Sequence, residues 1–451
     1  MTIKEFQDAV FSAGKRAGFS AMELYVSQSR SFNVKIFQKE VDNYSLANVL
    51  GVGFRGEFSG KMGYAYTEIL DEDSVQLLVQ QAKGNAQLID GDDEVEIFGG
   101  SPDYPTVEAF NHDFANVPVE QKITAARALE ESAFAADARV TSVNYALFAD
   151  GEEEVHMANT RGLQRSFRRN SGACFVMVVV KAGDKVKTGS SYTIGNRWEL
   201  FEPTKLAQEA VEEAISMLDA DSVASKSYPI IFRNDAAGDL LKTFSGVFSA
   251  DNVQKGLSRL DGKLGESVAA AHVTLLDDPL LQDGAASAPF DGEGVATYTK
   301  PVINGGILKT FLHNLKTAKK GGVSSTGNAY KSSFKAPITV APSNFFVQPG
   351  SQSLDELMEQ MQDGIVITDL QGLHSGANAV SGDFSLAAAG YRVEKGQIVG
   401  SVDQITVAGN FFDVLRDIEA VGSDLKFGMG GHGGNVGCPS LWIKSLAVAG
   451  K

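Results

Sequence analysis

Short strand-like segments separated by glycine turns dominate the second half of this 451-residue chain, which contains 47 glycines. The segments lie at 295–301, 306–312, 337–341, 364–370, 384–393 and 397–408. One helix, predicted at 354–361, interrupts them. Many short strands joined by glycine turns are typical of a β-sandwich or a barrel. We therefore predict a β-rich second half of sandwich or barrel-like form.

The first 88 residues predict an α+β unit. Apolar residues at helical spacing indicate a helix over 3–17, which ends at Gly18. Alternating apolar and polar residues predict strands at 22–26, 31–39, 42–54 and 62–68. Residues 55–61 are predicted to form a turn, and 74–88 a second helix.

A second α+β pattern follows between residues 119 and 218. A long helix is predicted over 119–136 and another over 203–218, with Pro203 at a position that helices tolerate. Between them, antiparallel strands are predicted at 139–148, 153–159, 162–169 and 173–181. Ala149-Asp-Gly151 is predicted to be a hairpin turn, because Asp-Gly favours the backbone of tight turns.

A stretch of small and polar residues at 220–226 marks the predicted domain boundary. We predict an N-terminal α+β domain over 1–220 and a C-terminal β-rich domain over 221–451. The predicted class of the whole chain is α+β.

Composition excludes several classes of protein. The formal net charge is -16, and nucleic-acid binders usually carry a basic surface that neutralises phosphates. No apolar run approaches the roughly 20 residues of a membrane helix, and the first residues resemble an amphipathic helix rather than a signal peptide. Cys174 and Cys438 are the only cysteines, too few for a disulfide framework. We expect a cytoplasmic protein.

The six histidines do not form a local metal motif. They are His112, His156, His272, His313, His374 and His432. No two stand three to five residues apart, as two ligands on one helix would. A site assembled across strands from His313, His374 and His432 stays open as an alternative to loop histidines bonded to the backbone.

The glycine-rich segment 428–434 does not match a nucleotide-binding loop. Such loops carry a defined glycine spacing and precede a helix, whereas the residues from Pro439 to Lys444 have a strand pattern. A tight connection between strands is the favoured interpretation. No Gly-x-Ser-x-Gly motif lies between a predicted strand and helix either, so serine hydrolase chemistry is not indicated.

A series of specific segments carries a resemblance to a known family. They are Pro289-Phe-Asp-Gly-Glu-Gly294, Ile303-Asn-Gly-Gly-Ile-Leu-Lys-Thr-Phe-Leu312, Ser325-Thr-Gly-Asn328, Gly372-Leu-His-Ser-Gly-Ala-Asn378 and Ser381-Gly-Asp-Phe-Ser385. In this order they resemble the TldD/PmbA family, also labelled modulators of DNA gyrase. The resemblance extends over essentially the whole chain and is densest between about 289 and 440.

This resemblance implies a cytoplasmic, heterodimeric metallopeptidase that acts on short or unfolded peptides. In the family, the TldD-type subunit supplies His-Glu-x-x-x-His and a C-terminal cysteine to zinc, and the PmbA-type subunit, also called TldE, lacks them. The corresponding residues here are Lys242, Thr243, Val247 and Gly430. The resemblance therefore implies a PmbA/TldE-type chain with no catalytic residue and no metal ligand of its own. Zinc is expected in a TldD-type partner.

The spacing of apolar residues supports the same conclusion independently. A single stripe runs along the predicted helix 235–248, formed by Ala237, Leu240, Leu241, Phe244, Val247 and Phe248. Residues at this i, i+3, i+4, i+7 spacing share one helix face, which a globular protein buries. We therefore predict that Val247 belongs to the core.

The polar segment 372–385 is the predicted place of peptide contact. Its candidate residues are His374, Ser375, Asn378, Ser381 and Asp383. Loops of this kind on a rigid scaffold commonly carry binding. The equally weighted alternative is a turn that needs glycine for its backbone and Asn, Ser or Asp for local hydrogen bonds.

The first functional hypothesis is a subunit, inactive alone, that shapes a peptide cavity and supports a TldD-type catalytic partner. A second hypothesis is a homodimeric protein that binds peptides without cleaving them. A third is an autonomous metallopeptidase with an unrecognised metal site. A role at DNA gyrase has only the family label behind it, since no basic stripe or acidic repeat is present.

Overall fold

The computed structural model describes residues 1–89, 96–429 and 433–451. The first half contains helices α1 to α5 and strands β1 to β6. In chain order these are α1 (Ile3–Ala17), β1 (Ala21–Phe37), β2 (Glu40–Phe58), β3 (Lys61–Thr67), α2 (Glu72–Leu88), α3 (His112–Ala115), α4 (Val119–Ala136), β4 (Val140–Asn159), β5 (Gln164–Ala182), β6 (Lys185–Gly195) and α5 (Pro203–Ser216). A 3-10 helix, Trp198–Leu200, precedes α5.

The first six strands form one antiparallel sheet in the order β3-β2-β1-β4-β5-β6. The even-numbered residues of β1, such as Leu24, Val34 and Ile36, are buried beneath the helices: α1 and α2 cover one end of this face, and α4 and α5 the other. Because side chains alternate along a strand, the odd-numbered residues Glu23 and Tyr25 lie on the opposite face. That face meets the second half of the chain.

The second half contains shorter elements. In chain order they are β7 (Lys226–Phe232), α6 (Asn234–Phe244), α7 (Ala250–Gln254), β8 (Leu275–Asp277), β9 (Lys300–Asn304), β10 (Ile307–Leu308), α8 (Leu315–Gly321), β11 (Ala329–Tyr330), β12 (Thr339–Val340), β13 (Asn344–Val347), α9 (Leu354–Met361), β14 (Gly364–Gln371), α10 (Leu373–Gly376), β15 (Asp383–Glu394), β16 (Gln397–Asn410), α11 (Phe411–Arg416), β17 (Ile418–Val421), β18 (Lys426–Phe427), β19 (Asn435–Cys438) and β20 (Leu441–Ala449). A 3-10 helix, Ser245–Phe248, continues α6.

Five of these strands close into a barrel in the order β16-β15-β14-β7-β20, with β16 and β20 pairing to complete it and β17 beside β20. A second sheet has the order β10-β9-β8-β13-β19-β18. Helix α6 contacts β14 of the barrel and β19 of this sheet, and one apolar core joins the three. The predicted α+β class and barrel-like second half are confirmed.

Two predicted turns are wrong. Residues 55–58 continue β2, and the turn lies at Ser59 and Gly60, whose φ values of 51° and 75° the tight connection requires. Ala149-Asp-Gly151 lies inside the long strand β4, where Asp150 pairs with Phe32 on one side and Gly172 on the other. Ladder partners on both sides therefore override the local turn preference of Asp-Gly.

The predicted division between residues 220 and 221 falls between α5, the last helix on the first sheet, and β7, the first strand of the barrel. The assignment of two domains stays a prediction. In the part of the chain that the structure describes, no helix combines the length and apolar character needed to cross a membrane.

Candidate functional site

Helix α6 is held in place by an apolar face. It follows β7 directly, and the buried side chains Leu240, Leu241 and Phe244 lie along one side of it. The ring of Phe244 stacks on Phe411, with centroids 4.6 Å apart and planes 12° from parallel. The predicted stripe is therefore the surface through which this helix joins the core.

The three family positions on this segment carry side chains that do not suit a metal ion. Val247 is 1% exposed and lies in the core, as its spacing predicts. The Lys242 Nζ donates a hydrogen bond to the Met429 carbonyl at 3.3 Å. The Thr243 hydroxyl donates to the Asp239 carbonyl at 2.8 Å, one turn earlier in the same helix. An isopropyl group, an ammonium and a hydroxyl already bonded to the backbone do not form a zinc site.

The fourth position, Gly430, lies outside the described residues, as does His432. Among the residues that are described, no three or more His, Cys, Asp or Glu side chains come together in a way that could hold a metal ion. The family's zinc therefore does not fit the described residues of this chain.

Two of the three histidines of the alternative metal site, His313 and His374, lie within the described residues. His313 is buried, its ring Nδ1 has no hydrogen-bond partner among the described residues, and burial lowers its pKa. His374 is exposed on α10. With His432 outside the description, a three-histidine site stays an untested alternative.

The segment 372–385 forms an ordered, exposed turn. The Asn378 side-chain oxygen accepts hydrogen bonds from the backbone N–H groups of Val380 and Ser381 at 3.0 and 3.1 Å. The Asp383 carboxylate accepts one from the Asn410 amide at 2.8 Å, and this bond lowers the pKa of Asp383. These contacts are those of a turn.

Two other candidates of that segment, His374 and Ser375, have solvent-exposed side chains. Ser375 donates a hydrogen bond to the Gly372 carbonyl at 3.3 Å. Within the described residues, none of the five candidates lines either of the cavities described below. Peptide contact at His374, Ser375, Asn378, Ser381 and Asp383 stays a prediction.

The turn Pro289–Gly294 docks the second half onto the first sheet. Phe290 packs edge-on against Phe167, with ring centroids 5.1 Å apart. The Asp291 carboxylate accepts three backbone hydrogen bonds, from Glu293 within the turn, from Val295 directly after it and from the distant Ala329. Gly294 has a φ of 84°, a backbone that favours glycine. This segment of the motif therefore builds a rigid turn.

Three buried charged side chains meet at this junction, and we call Glu23, Arg55 and Glu293 the buried ion cluster. The Arg55 Nε donates to a Glu23 oxygen at 2.6 Å, and its Nη1 lies 3.9 Å from a Glu293 oxygen. Each residue is at most 4% exposed. The Arg55 Nη1 and Nη2 atoms have no hydrogen-bond acceptor within the described structure. Such a cluster is expensive to bury, because each ion loses its hydration.

Burial also shifts the pKa values of the ionisable side chains at this junction. Loss of water raises the pKa of Glu293 to about 7, with the Asp291 charge adding to the rise and Arg55 opposing it. Burial raises the pKa of Asp291 to about 6 in spite of its three backbone donors. The pKa of Lys331 shifts in the opposite direction. It is lowered to about 8, mainly by burial and to a smaller extent by repulsion from Arg55.

Two cavities lie between the first sheet and the second half, and the larger one is lined by Glu23 and Arg55 of the cluster. One of about 270 Å³ is lined by residues that include Arg55, Tyr64, Tyr66 and Phe334. The other, of about 100 Å³, is lined by residues that include Phe290, Asn328 and Ser343. Both are bordered by Tyr25, Gly292 and Lys331. Aromatic walls with basic groups suit a ligand that has apolar side chains and a carboxylate, as peptides have.

Sequence reasoning missed this junction. Arg55 falls in the predicted turn 55–61, whereas in the structure Glu23 and Arg55 occupy directly opposed positions of two strands. The available signal is the opposite charge of Glu23, in the predicted strand 22–26, and of Arg55, directly after the predicted strand 42–54. The contribution of Glu293 could not be seen in the sequence, because it comes from a segment more than two hundred residues away.

Comparison with known proteins matches the chain from near its beginning to its end. Three family models match in order: PmbA/TldA metallopeptidase domain 1 over 22–86, the central domain over 112–218 and the C-terminal domain over 225–450. A relative from Haemophilus influenzae named metalloprotease PmbA homolog is 28% identical over 440 residues, covering 96% of this chain and 93% of that protein.

Two solved structures of similar proteins superpose closely on this chain. A Thermotoga maritima protein, described as a proposed modulator of a DNA gyrase, superposes with a TM-score of 0.91 at 36% identity, covering 99% of this chain and all of that one. TldE from Thermococcus kodakarensis has a TM-score of 0.90 at 21% identity, covering 99% of this chain and 100% of that chain. The similarity to this TldE, at 21% identity, shows a shared fold.

Proposed function

This chain belongs to the PmbA/TldD metallopeptidase family, as its motifs predict, and we propose that it is a non-catalytic subunit of the PmbA/TldE type. In this proposal it works in the cytoplasm beside a TldD-type catalytic subunit that cleaves short or unfolded peptides. It supplies part of the peptide cavity and supports that partner. The family membership rests on models that match residues 22–86, 112–218 and 225–450.

The observation that carries the proposal is the packing of Val247. A ligand at this position would have to project from a residue that is 1% exposed and belongs to the largest apolar core of the chain. Lys242 and Thr243 beside it already bond to backbone carbonyls. A metal site could not be restored here by side-chain rotation alone, because the core would have to open.

The cavities beside the buried ion cluster support the role in peptide holding. Tyr64, Tyr66 and Phe334 offer apolar surface, and the Lys331 ammonium lies where the two cavities adjoin. A peptide with a free carboxylate and an apolar side chain complements this lining. The same features support the second hypothesis, a homodimeric protein that binds peptides without cleaving them.

Metal analysis and a peptide-cleavage assay test the proposal together. The chain is purified alone, mixed with a TldD-type subunit, and mixed with a TldD-type variant whose motif glutamate is changed to glutamine. We expect no stoichiometric zinc and no cleavage from the chain alone. We expect cleavage by the first mixture above that of the TldD-type subunit alone, and none by the second.

Two outcomes would contradict the proposal. About one zinc per chain with chelator-sensitive cleavage by the chain alone would establish the autonomous peptidase, and His313, His374 and His432 would be the residues to change first. Tight peptide binding by a chain that never associates with a TldD-type subunit would establish the peptide-binding homodimer instead.

A further inference from the structure

The larger cavity beside the buried ion cluster has a basic, buried end. Arg55 lines this cavity and is 4% exposed. A guanidinium carries five N–H donors, and the Arg55 Nε uses its one on Glu23. Nη1 and Nη2 have no hydrogen-bond acceptor within the described structure. Because buried donors without an acceptor are costly and rare, these atoms point to an acceptor that comes from outside the chain.

Lys331 places a second cation at the same cavity. Its Nζ donates to the Ala336 carbonyl at 3.2 Å, which occupies one of the three donors of an ammonium. After burial, repulsion from Arg55 is the next cause that lowers the pKa of Lys331, so the two positive charges lie close to each other. An anion bound by both side chains would supply acceptors and relieve this repulsion.

The charges of the lining favour a ligand with a single negative charge. Among the described residues, Glu23 is the one acidic side chain that lines the cavity, and it compensates one of the two cations. A third cation, Lys335, pairs with Glu68 at 2.8 Å. The lining therefore has one positive charge in excess, which a carboxylate neutralises and a doubly charged phosphate exceeds. Since the whole chain has a formal net charge of -16, only these local groups attract an anion.

Aromatic rings form the outer part of the cavity. Tyr64 and Tyr66 on β3 are 40% and 52% exposed, and Phe334 is buried. The rings of Tyr66 and Phe334 meet edge-on, with centroids 6.2 Å apart. Gly53, opposite Tyr66 in the sheet, allows the backbone of Phe334 to approach, since a Cβ there would lie 2.4 Å from the Phe334 carbonyl oxygen. The cavity thus extends from exposed aromatic rings to a buried guanidinium.

The volume limits what this cavity can hold. About 270 Å³ corresponds to roughly nine water molecules at about 30 Å³ each, which is below the range of about 300–1,000 Å³ that is usual for drug-sized ligands. A single residue with its carboxylate suits this space, and an extended peptide does not. The rest of a longer peptide would leave the cavity past the exposed Tyr64 and Tyr66.

We propose that this cavity binds the C-terminal residue of a peptide through its free carboxylate. The carboxylate lies on the Nη atoms of Arg55 and on the Lys331 ammonium, because the planar fork of a guanidinium matches the two oxygens of a carboxylate. An aromatic or branched side chain of the same residue packs against Tyr66 and Phe334. This inference rests on the proposed function and deepens it, because it names the end of the peptide that the chain recognises.

Calorimetric titration of the unmodified chain tests the carboxylate directly. The probes are an acetylated peptide of five alanines and a final phenylalanine, the same peptide with a C-terminal amide, and N-acetyl-phenylalanine. Loss of a hydrogen bond to a charged group predicts that the acid peptide binds about ten- to a hundredfold more tightly than the amide. Equal affinities, or no binding by either peptide, would overturn the proposal. N-acetyl-phenylalanine should bind more weakly than the acid peptide, and equal binding would assign the cavity to a small acid instead.

Two variants test the named side chains. The readout is the ratio of acid to amide affinity, since a general loss of folded protein lowers both affinities alike. Arg55→Lys keeps the buried charge beside Glu23 but lacks the planar fork, and Lys331→Met removes the second cation. Each should reduce the ratio by about tenfold. Arg161→Met, which removes an exposed charge outside the cavity, should leave it unchanged. A ratio retained in both cavity variants would overturn the proposal.

The carboxylate site and the proposed function can fail separately. Equal binding of acid and amide by a chain that still raises cleavage by a TldD-type subunit would overturn only the carboxylate site. A clear preference for the acid in a chain that never associates with such a subunit would support the site and overturn the subunit role.

Discussion

Helix α6 and the buried ion cluster place opposite kinds of side chain in the interior of this protein: apolar ones on α6 and ionisable ones in the cluster. Along α6 and the 3-10 helix that continues it, the positions that the resemblance gives to metal ligands hold residues that need no buried partner: Val247 packs in the core and Lys242 remains exposed. In the cluster, Glu23, Arg55 and Glu293 are ionisable groups within the interior, at most 4% exposed. One site relies on apolar packing, and the other holds polar groups where they are costly to bury.

The difference follows from what each site joins. Helix α6 contacts the barrel and the second sheet, and apolar packing suffices there. The cluster joins β1, β2 and the turn Pro289–Gly294 through one directional hydrogen bond, from Arg55 to Glu23, and one longer ion pair, between Arg55 and Glu293. Buried ions of this kind add little net stability but penalise wrong arrangements strongly. We infer that the cluster specifies how the second half docks on the first sheet.

The largest expected effect comes from breaking the cluster. Arg55→Met leaves Glu23 and Glu293 buried without a counter-ion, and we expect the free energy of unfolding to fall by about 3–5 kcal/mol. Urea denaturation followed by circular dichroism measures this. Arg161→Met, which removes an exposed pair with Glu57 at 3.6 Å, is the control and should change stability by at most about 1 kcal/mol. Equal losses in the two variants would contradict the comparison.

The titration of Glu293 should produce the next largest effect. Its pKa is raised from 4.5 to about 7 in the folded protein, so the folded state holds the proton more tightly than the unfolded state. The resulting stabilisation is complete below about pH 4.5 and is lost as pH rises through 7. With about 1.4 kcal/mol for each pKa unit, the loss is on the order of 3–4 kcal/mol.

Glu293→Gln isolates this contribution, because glutamine does not titrate. Unfolding free energies measured between pH 5 and 8 should fall less steeply with pH in the variant than in the parent. Glu266→Gln, at an exposed side chain paired with Lys263, should leave the slope unchanged. A parallel pH profile for Glu293→Gln would mean that this carboxyl is not the group responsible.

Replacing Val247 with histidine, a common metal-ligating residue, should destabilise the core without creating a metal site. We expect Val247→His to lower the free energy of unfolding by about 1–3 kcal/mol, because a larger, polar ring enters a packed interior without a hydrogen-bond partner. Lys242→His, on the exposed side, should stay within about 0.5 kcal/mol. Thermal unfolding and zinc content measure both results. A Val247→His chain that gains zinc and stability would show that α6 still permits a metal site.

The smallest effect on stability is expected at the exposed segment 372–385. His374→Ala should leave the melting temperature unchanged within error, since its side chain is exposed, and should weaken binding of a labelled peptide if the predicted contact is real. Asn378→Ala removes an acceptor for two backbone N–H groups and should cost about 1 kcal/mol. Unchanged peptide affinity in His374→Ala would restrict this segment to the role of a turn.

Prediction from sequence succeeded where the information is local. The spacing of Leu240, Leu241, Phe244 and Val247 shows which side of the segment is buried, and the structure buries all four. The helix predicted at 354–361 is also present with those bounds. The predictions failed at residues 55–58 and 149–151, where strand partners distant in sequence extend β2 and β4 through apparent turn signals.

The amino-acid sequence alone determined the family, the α+β class, the glycine-rich barrel-like half and the burial of the apolar stripe that runs along α6 to Val247. Each of these depends on residue identity or on a short period, which neighbours in the chain define. Only the tertiary structure decided that Glu23, Arg55 and Glu293 share one site, that β16 closes onto β20, and that burial raises the pKa of Glu293. Pairing across hundreds of residues and the removal of water are properties of the packed molecule, so no local pattern encodes them.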